Sequence, residues 1–198
     1  MASLRVASGK LAGRKCTCRL QLVALSWLTA VFRIPSLFNN SFTTDEALFA
    51  SFARTIAVWR DPLLINQPVD KPPLLFYLQA LFYPMMGAEE WAARLPNFIA
   101  FVLLTPLVGV LVWRLYHDER TAIIAAALVA LSPFLIQFSS TAYTDPLLVT
   151  LLIASLLAML PRRRSLVGRR PVVAGLFFGL AMATKYQAVL FLPLLAGM

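Results

Sequence analysis

Apolar residues run through this chain in six stretches: Leu20 to Phe38, Leu74 to Met86, Leu95 to Tyr116, Thr121 to Ser139, Pro146 to Leu160, and Val172 onward. Continuous runs of this length predict helices that are apolar all round, so the expected fold class is all-α. No long polar insert separates them, and residues 20–198 read as one transmembrane domain behind a basic tail of residues 1–19. Leu20 to Phe38 is too long for a signal-peptide core and has no clear small-residue cleavage site after it, so it reads as an uncleaved first span. The last stretch is long enough for one tilted span. A mid-membrane lysine is costly, however, which favours two short helices with Lys185 at their turn. The chain stops inside an apolar run, "FLPLLAGM". An N-terminal fragment of a longer protein, inactive in isolation, is therefore expected.

Composition agrees with the pattern. Of the 198 residues, 60% are hydrophobic and 14% charged, and the mean hydropathy is +0.75, well beyond a soluble domain. The net charge of +9 would suggest nucleic acid in a soluble chain. Here the cations flank apolar runs, as topology signals do, and nucleic acid is excluded as a partner. The two cysteines, Cys16 and Cys18, sit in "KCTCR" beside the first span, with no metal-ligand spacing around them. They read as cytosolic thiols, with acylation as the alternative.

The basic N-terminus and the cluster "PRRRSLVGRR" from Pro161 to Arg170 both belong in the cytoplasm. If Leu20 to Phe38 crosses outward, an odd number of crossings must bring the chain back by Pro161, and four apolar stretches compete for three crossings. Leu74 to Met86 is the one to drop. Its helix would rise only about 20 Å against a hydrocarbon core of roughly 30 Å, so it lies at the outer interface or re-enters. Phe76, Tyr77, Phe82 and Tyr83 suit the interface. Asp45, Glu46, Asp61, Asp70, Glu89, Glu90 and Asp145 then share the outer side. Asp118 and Glu119 stay inside with His117, which reads as solvated.

Several motifs stand on that outer side. In "FTTDEALFA", Thr43 and Glu46 have capping-box spacing, which accounts for Glu46 but not for Asp45. The helix they start, through about Trp59, is expected to be amphipathic, with Leu48, Phe52, Ile56 and Trp59 on the face laid along the membrane. In "VDKPPLLFY", Pro72 and Pro73 set an extended approach to a helix and so direct Lys71, either to the headgroups or to a lipid phosphate. "AYTDPLLVT" puts Asp145 at a helix start, as N-cap with proline at N1. Arg94 in "RLPN" stands at the outer mouth of a span, where it orients the helix or snorkels to the headgroups. Arg33, inside the first span, needs a partner or a water-filled cleft. Lys185 in "ATKYQA" has the same problem, and Tyr186 beside it either hydrogen-bonds a phosphate or sits in the aromatic belt.

Taken in order, an acidic pair after span one, D/E-K-P-P outside, R-L-P opening a span, T-D-P-L-L in the next outer loop and T-K in the fifth membrane element resemble the polyprenyl-phosphate-dependent glycosyltransferases of the GT-C superfamily. The protein O-mannosyltransferase and aminoarabinose transferase group, with its RgtA/B/C/D-like bacterial members, is the most similar. The match covers Leu20 to Leu195, and its specificity lies in order and spacing, since each motif alone is weak.

The resemblance implies an extracytoplasmic transfer of sugar from a polyprenyl-phosphate donor to a hydroxyl on a protein, lipid or polysaccharide acceptor, in a bacterial inner membrane with the N-terminus cytoplasmic. Asp45 and Asp145 would be catalytic. Lys71 would bind the lipid phosphate, with Glu46, Arg94, Lys185 and Tyr186 also facing substrate. Asp70 matches a position that helps hold a divalent metal in some relatives, with a histidine partner beyond residue 198. The residue inventory itself requires no cofactor. The rival readings are a transporter or flippase for an anionic or lipid-linked substrate, its pathway lined by Arg33, Lys185 and Asp145, and an inactive truncated remnant.

Overall fold

In hydrocarbon, backbone polar groups find partners only within helices or closed barrels, and every regular element among the described residues is helical. The computed structural model describes the backbone of residues 2–39, 41–160 and 169–197, with side chains over 20–38, 41–160 and 170–197. The helices are α1 (Ala2–Asn39), α2 (Thr44–Ala57), α3 (Leu74–Met86), α4 (Glu90–Tyr116), α5 (Glu119–Leu131), α6 (Pro133–Ser139), α7 (Thr144–Met159) and α8 (Arg169–Met182). A 3-10 turn, Tyr186–Phe191, and a short α9 (Leu192–Ala196) follow. Leu20–Phe38 of α1 and all of α4 are long and apolar enough to cross a membrane, and α5 with α6 makes a third candidate if the bent pair is one span. The protein is an integral membrane protein.

Residues 2–19, the basic tail, are helical and continuous with the first span. The side chains of Cys16 and Cys18, and residues 161–168 of the second basic cluster, lie outside the described residues. The final stretch does break at Lys185 into helix, 3-10 turn and short helix. The expected single helix from Thr121 to Ser139 is instead two, bent by 56° at Ser132–Pro133. Proline has no N–H to give the carbonyl of Val129 and crowds the preceding turn, so α5 stops.

Arg33 occupies that break. Fully buried, it donates from Nη1 to the carbonyl of Ala130 at 3.0 Å and from Nη2 to that of Val129 at 3.1 Å, and lies 5.8 Å from the Phe101 ring centroid. The partner it needed is the negative end of a terminated helix. The rest of the α1 seam is built from small and polar contacts. Thr29 and Thr105 join α1 to α4 through their hydroxyls at 3.0 Å. Ala122, Ala126 and Ala130 are buried at four-residue spacing on α5. A Cβ on Gly109 would meet Leu22 Cδ2 at 2.5 Å and Ala126 Cβ at 3.3 Å, so glycine lets α1 and α5 pack closely on α4, and a larger residue there would make the Leu22 side chain turn away.

Two hydrogen-bonded ties give the bundle a direction. Asn97, early in α4, donates from Nδ2 to the carbonyls of Thr141 and Tyr143, both at 2.7 Å, just before α7. Arg114, late in α4, donates to the carbonyl of Leu157 near the end of α7 at 2.8 Å. Helices α4 and α7 therefore run the same way and their starts share one end of the bundle. His117, exposed in a left-handed conformation, and Asp118, the N-cap of α5, belong to the other end.

Helix α2 does not present the expected face. Phe49, Phe52 and Ala53 are buried and face α3, whereas Leu48 is exposed and Trp59 lies past the helix end. The true stripe follows the burial of Glu46, three residues before Phe49, and not Leu48. Helix α3 has the expected short span, but its aromatics divide: Phe76 and Tyr83 are core residues against α2, so they are unavailable to an interfacial belt.

Candidate active site

Glu46 and its neighbours organise the end of the bundle where α2, α4 and α7 start. The capping box forms: the Thr43 hydroxyl accepts from the Glu46 N–H, and the Glu46 carboxylate accepts from the Thr43 N–H at 3.0 Å. The same carboxylate accepts from the Ala142 N–H at 2.8 Å and faces Arg94 Nε at 3.4 Å. Arg94 also donates to the carbonyl of Leu37 at 3.1 Å. With exposures of 2% and 1%, Glu46 and Arg94 form a buried pair tying α1, α2, α4 and the loop before α7 together. Arg94 therefore does not snorkel at the mouth of a span. Asp45, next in the chain, is exposed on the first turn of α2.

Lys71 is held by the segment before α3. Pro72 is buried, Pro73 is the N-cap of α3, and the Leu74 N–H donates to the carbonyl of Ala183 at 3.0 Å. That last bond brings the break after α8 against the start of α3. Lys71 Nζ lies 2.8 Å from Asp70 Oδ2 and 4.8 Å from the centroid of Phe49, a ring packed 5.4 Å from Phe76. The lysine's hydrogen bond holds the Asp70 carboxyl below the usual carboxylate range.

Lys185 follows the tied segment in extended conformation, and its Nζ donates to Asp145 Oδ1 at 2.6 Å. Asp145 is not the N-cap of α7. Tyr143 holds that position without a side-chain bond, and Asp145 stands inside the first turn, where the helix dipole favours its charge. Lys71 and Lys185 share an open cleft of about 440 Å³ with Asp70, Tyr186 and Gln187. Pro72, Val189 and Leu190 supply its apolar wall. Asp145 borders it through Lys185, while Asp45, Glu46 and Arg94 are not among the lining residues.

Two residues important here sit inside the stretches "RLPN" and "ATKYQA", where only their neighbours stood out. Asn97 sets the loop before α7, and its sequence signal is an amide within an apolar span. Gln187 lines the cleft without distinction in the sequence. Among the described residues no three of His, Cys, Asp or Glu converge as a metal site, and Asp70 meets a lysine, so these residues do not by themselves fit a metal.

With the geometry in hand, the family described as dolichyl-phosphate-mannose-protein mannosyltransferase matches residues 70–197. The chain belongs to this family. The matched segment of this mannosyltransferase-family chain begins at Asp70 and takes in Lys71, Asp145 and Lys185. Among its relatives, the undecaprenyl phosphate-alpha-4-amino-4-deoxy-L-arabinose arabinosyl transferase of Pseudomonas aeruginosa (strain LESB58) is 25% identical over 195 residues, covering 93% of this chain and 35% of the relative. A transferase of the same name from Pectobacterium carotovorum is 24% identical over 190 residues, covering 92% of this chain and 33% of the relative. The putative mannosyltransferase YycA of Bacillus subtilis is 31% identical over 138 residues, covering 65% and 17%. The chain thus spans about a third of the aminoarabinose transferases it matches. No solved structure matches it.

Proposed function

We propose that this protein is a membrane glycosyltransferase that moves a sugar from a polyprenyl-phosphate donor to an acceptor hydroxyl. Its site opens on the extracytoplasmic side of a bacterial inner membrane, with the N-terminus cytoplasmic. One observation carries the reading: Lys71 and Lys185, far apart in sequence, line one cleft whose other wall is apolar. Two cations beside an apolar surface suit a phosphate attached to an isoprenoid. At ~4 Å a single opposite charge contributes about 4 kcal/mol at an effective dielectric near 20. Family membership and the relatives' names support the same substrate class.

In this reading the acceptor oxygen bonds to the anomeric carbon as the bond from that carbon to the phosphate oxygen breaks. The departing polyprenyl phosphate gains negative charge, which Lys71 and Lys185 stabilise, with Tyr186 in hydrogen-bonding reach of the cleft. The hydroxyl proton passes to a carboxylate, Asp45, with Asp145 at the same end of the bundle. Glu46 and Arg94 serve by holding Asp45 and the loop before α7 in place.

The test uses cell membranes in which the protein stands within its natural full-length chain, and a radiolabelled polyprenyl-phosphate sugar. Labelled acceptor should form, and should vanish in Asp45→Asn. Accumulation of label inside vesicles with no covalent product would instead establish transport.

A further inference from the structure

Both cations of the cleft are already neutralised by acids: Lys71 by Asp70 at 2.8 Å and Lys185 by Asp145 at 2.6 Å. An incoming phosphate therefore meets occupied ammonium groups. We propose that the phosphate-bearing ligand binds by exchange, displacing Asp145 from Lys185, so that the acid is released toward the acceptor only when the donor has arrived. This rests on the phosphate reading of the cleft given above.

The two pairs are not equivalent. Asp70 adjoins Lys71 in sequence and its side chain is 64% exposed, so it can turn to water without moving any helix. Lys71 keeps the Phe49 ring beneath it when that carboxylate leaves. Lys185 has no such ring among its described contacts, and its side chain is only 20% exposed. A lysine this covered is stabilised by an adjacent anion, Asp145 before the ligand binds and phosphate afterwards.

Only side chains need to move. The backbone of Lys185 is held by bonds from its N–H to the Ala181 carbonyl at 3.0 Å and from the Ala188 N–H to its own carbonyl at 3.1 Å. Asp145, half exposed, stays in the first turn of α7, where the dipole still favours its negative charge after the lysine is gone. Exchange thus couples donor binding to the freeing of a carboxylate at the same end of the bundle.

Binding of a polyprenyl monophosphate to the purified protein, with the uncharged polyprenol as control, tests this. Removing the competitor in Asp145→Asn should tighten phosphate binding by about fivefold, the equivalent of about 1 kcal/mol, while turnover falls. Lys185→Gln should weaken binding, and adding Asp145→Asn to it should then have no effect. Asp145→Ser provides the same comparison should the asparagine variant fold poorly. Unchanged or weaker binding in both Asp145 variants, with Lys185→Gln still weakening it, would overturn exchange and leave the phosphate site standing. If neither Lys71→Gln nor Lys185→Gln affects phosphate binding, the phosphate reading itself fails.

Discussion

The Glu46 carboxylate accepts a hydrogen bond from the Ala142 N–H at 2.8 Å, joining the first turn of α2 to the loop that leads into α7. Asp45 and Asp145 are thereby set by one buried acid that lies between their two elements. Arg94 faces the same carboxylate and extends the tie to the end of α1.

Loss of that acid should be structural first. Glu46→Ala leaves the Arg94 charge and the Ala142 N–H without the carboxylate, and should destabilise the protein by about 3–5 kcal/mol. Thr43→Ala removes the cap and the exposed 2.8 Å bond between the Thr43 hydroxyl and Tyr143 Oη, and should cost about 1–2 kcal/mol. Thermal unfolding in detergent, followed by circular dichroism, measures both; equal effects would show that the buried pair adds nothing to the cap.

Asp45→Asn should behave in the opposite way. The side chain is exposed, so the melting curve should be unchanged while transfer from a labelled lipid-linked sugar falls by about 100- to 10,000-fold, the range of a lost general base. Near-normal turnover would remove Asp45 from the chemistry.

Phe49 should matter through Lys71. Phe49→Leu keeps an apolar side chain but removes the ring face under the ammonium, worth about 1 kcal/mol. The expected result is a donor KM raised about fivefold with kcat little changed. Phe49→Tyr, which keeps the ring, should restore the KM; if it does not, the effect belongs to core packing with Phe76.

Arg33 and Pro133 should be coupled. Arg33→Leu strips the carbonyls of Val129 and Ala130 of their donor and should destabilise by about 2–3 kcal/mol. Pro133→Ala restores an N–H positioned for the Val129 carbonyl, and should recover part of that loss in the double variant. Strict additivity of the two substitutions in thermal unfolding would refute the assigned role.

Local chemistry determined the helical class, the bounds of α3, the Thr43–Glu46 capping box and the break at Lys185. Each depends on residues within a turn or two: an apolar run, a T-x-x-E spacing, a lysine in a greasy stretch. Charge parity, also read from the sequence alone, put the acids and Lys71 on one side, and Lys71, Lys185 and Asp145 do meet at one end of the bundle.

Partner choice was decided only by the tertiary structure. Arg33 meets the Ala130 carbonyl 97 residues away, and Lys185 meets Asp145 at a separation of 40. The buried face of α2, the pairing of Glu46 with Arg94 and the bend at Pro133 depend likewise on which helix lies alongside. A side chain's propensity is local, but whether its charge is buried, paired or free to meet a ligand depends on groups that the chain brings near only after it has folded.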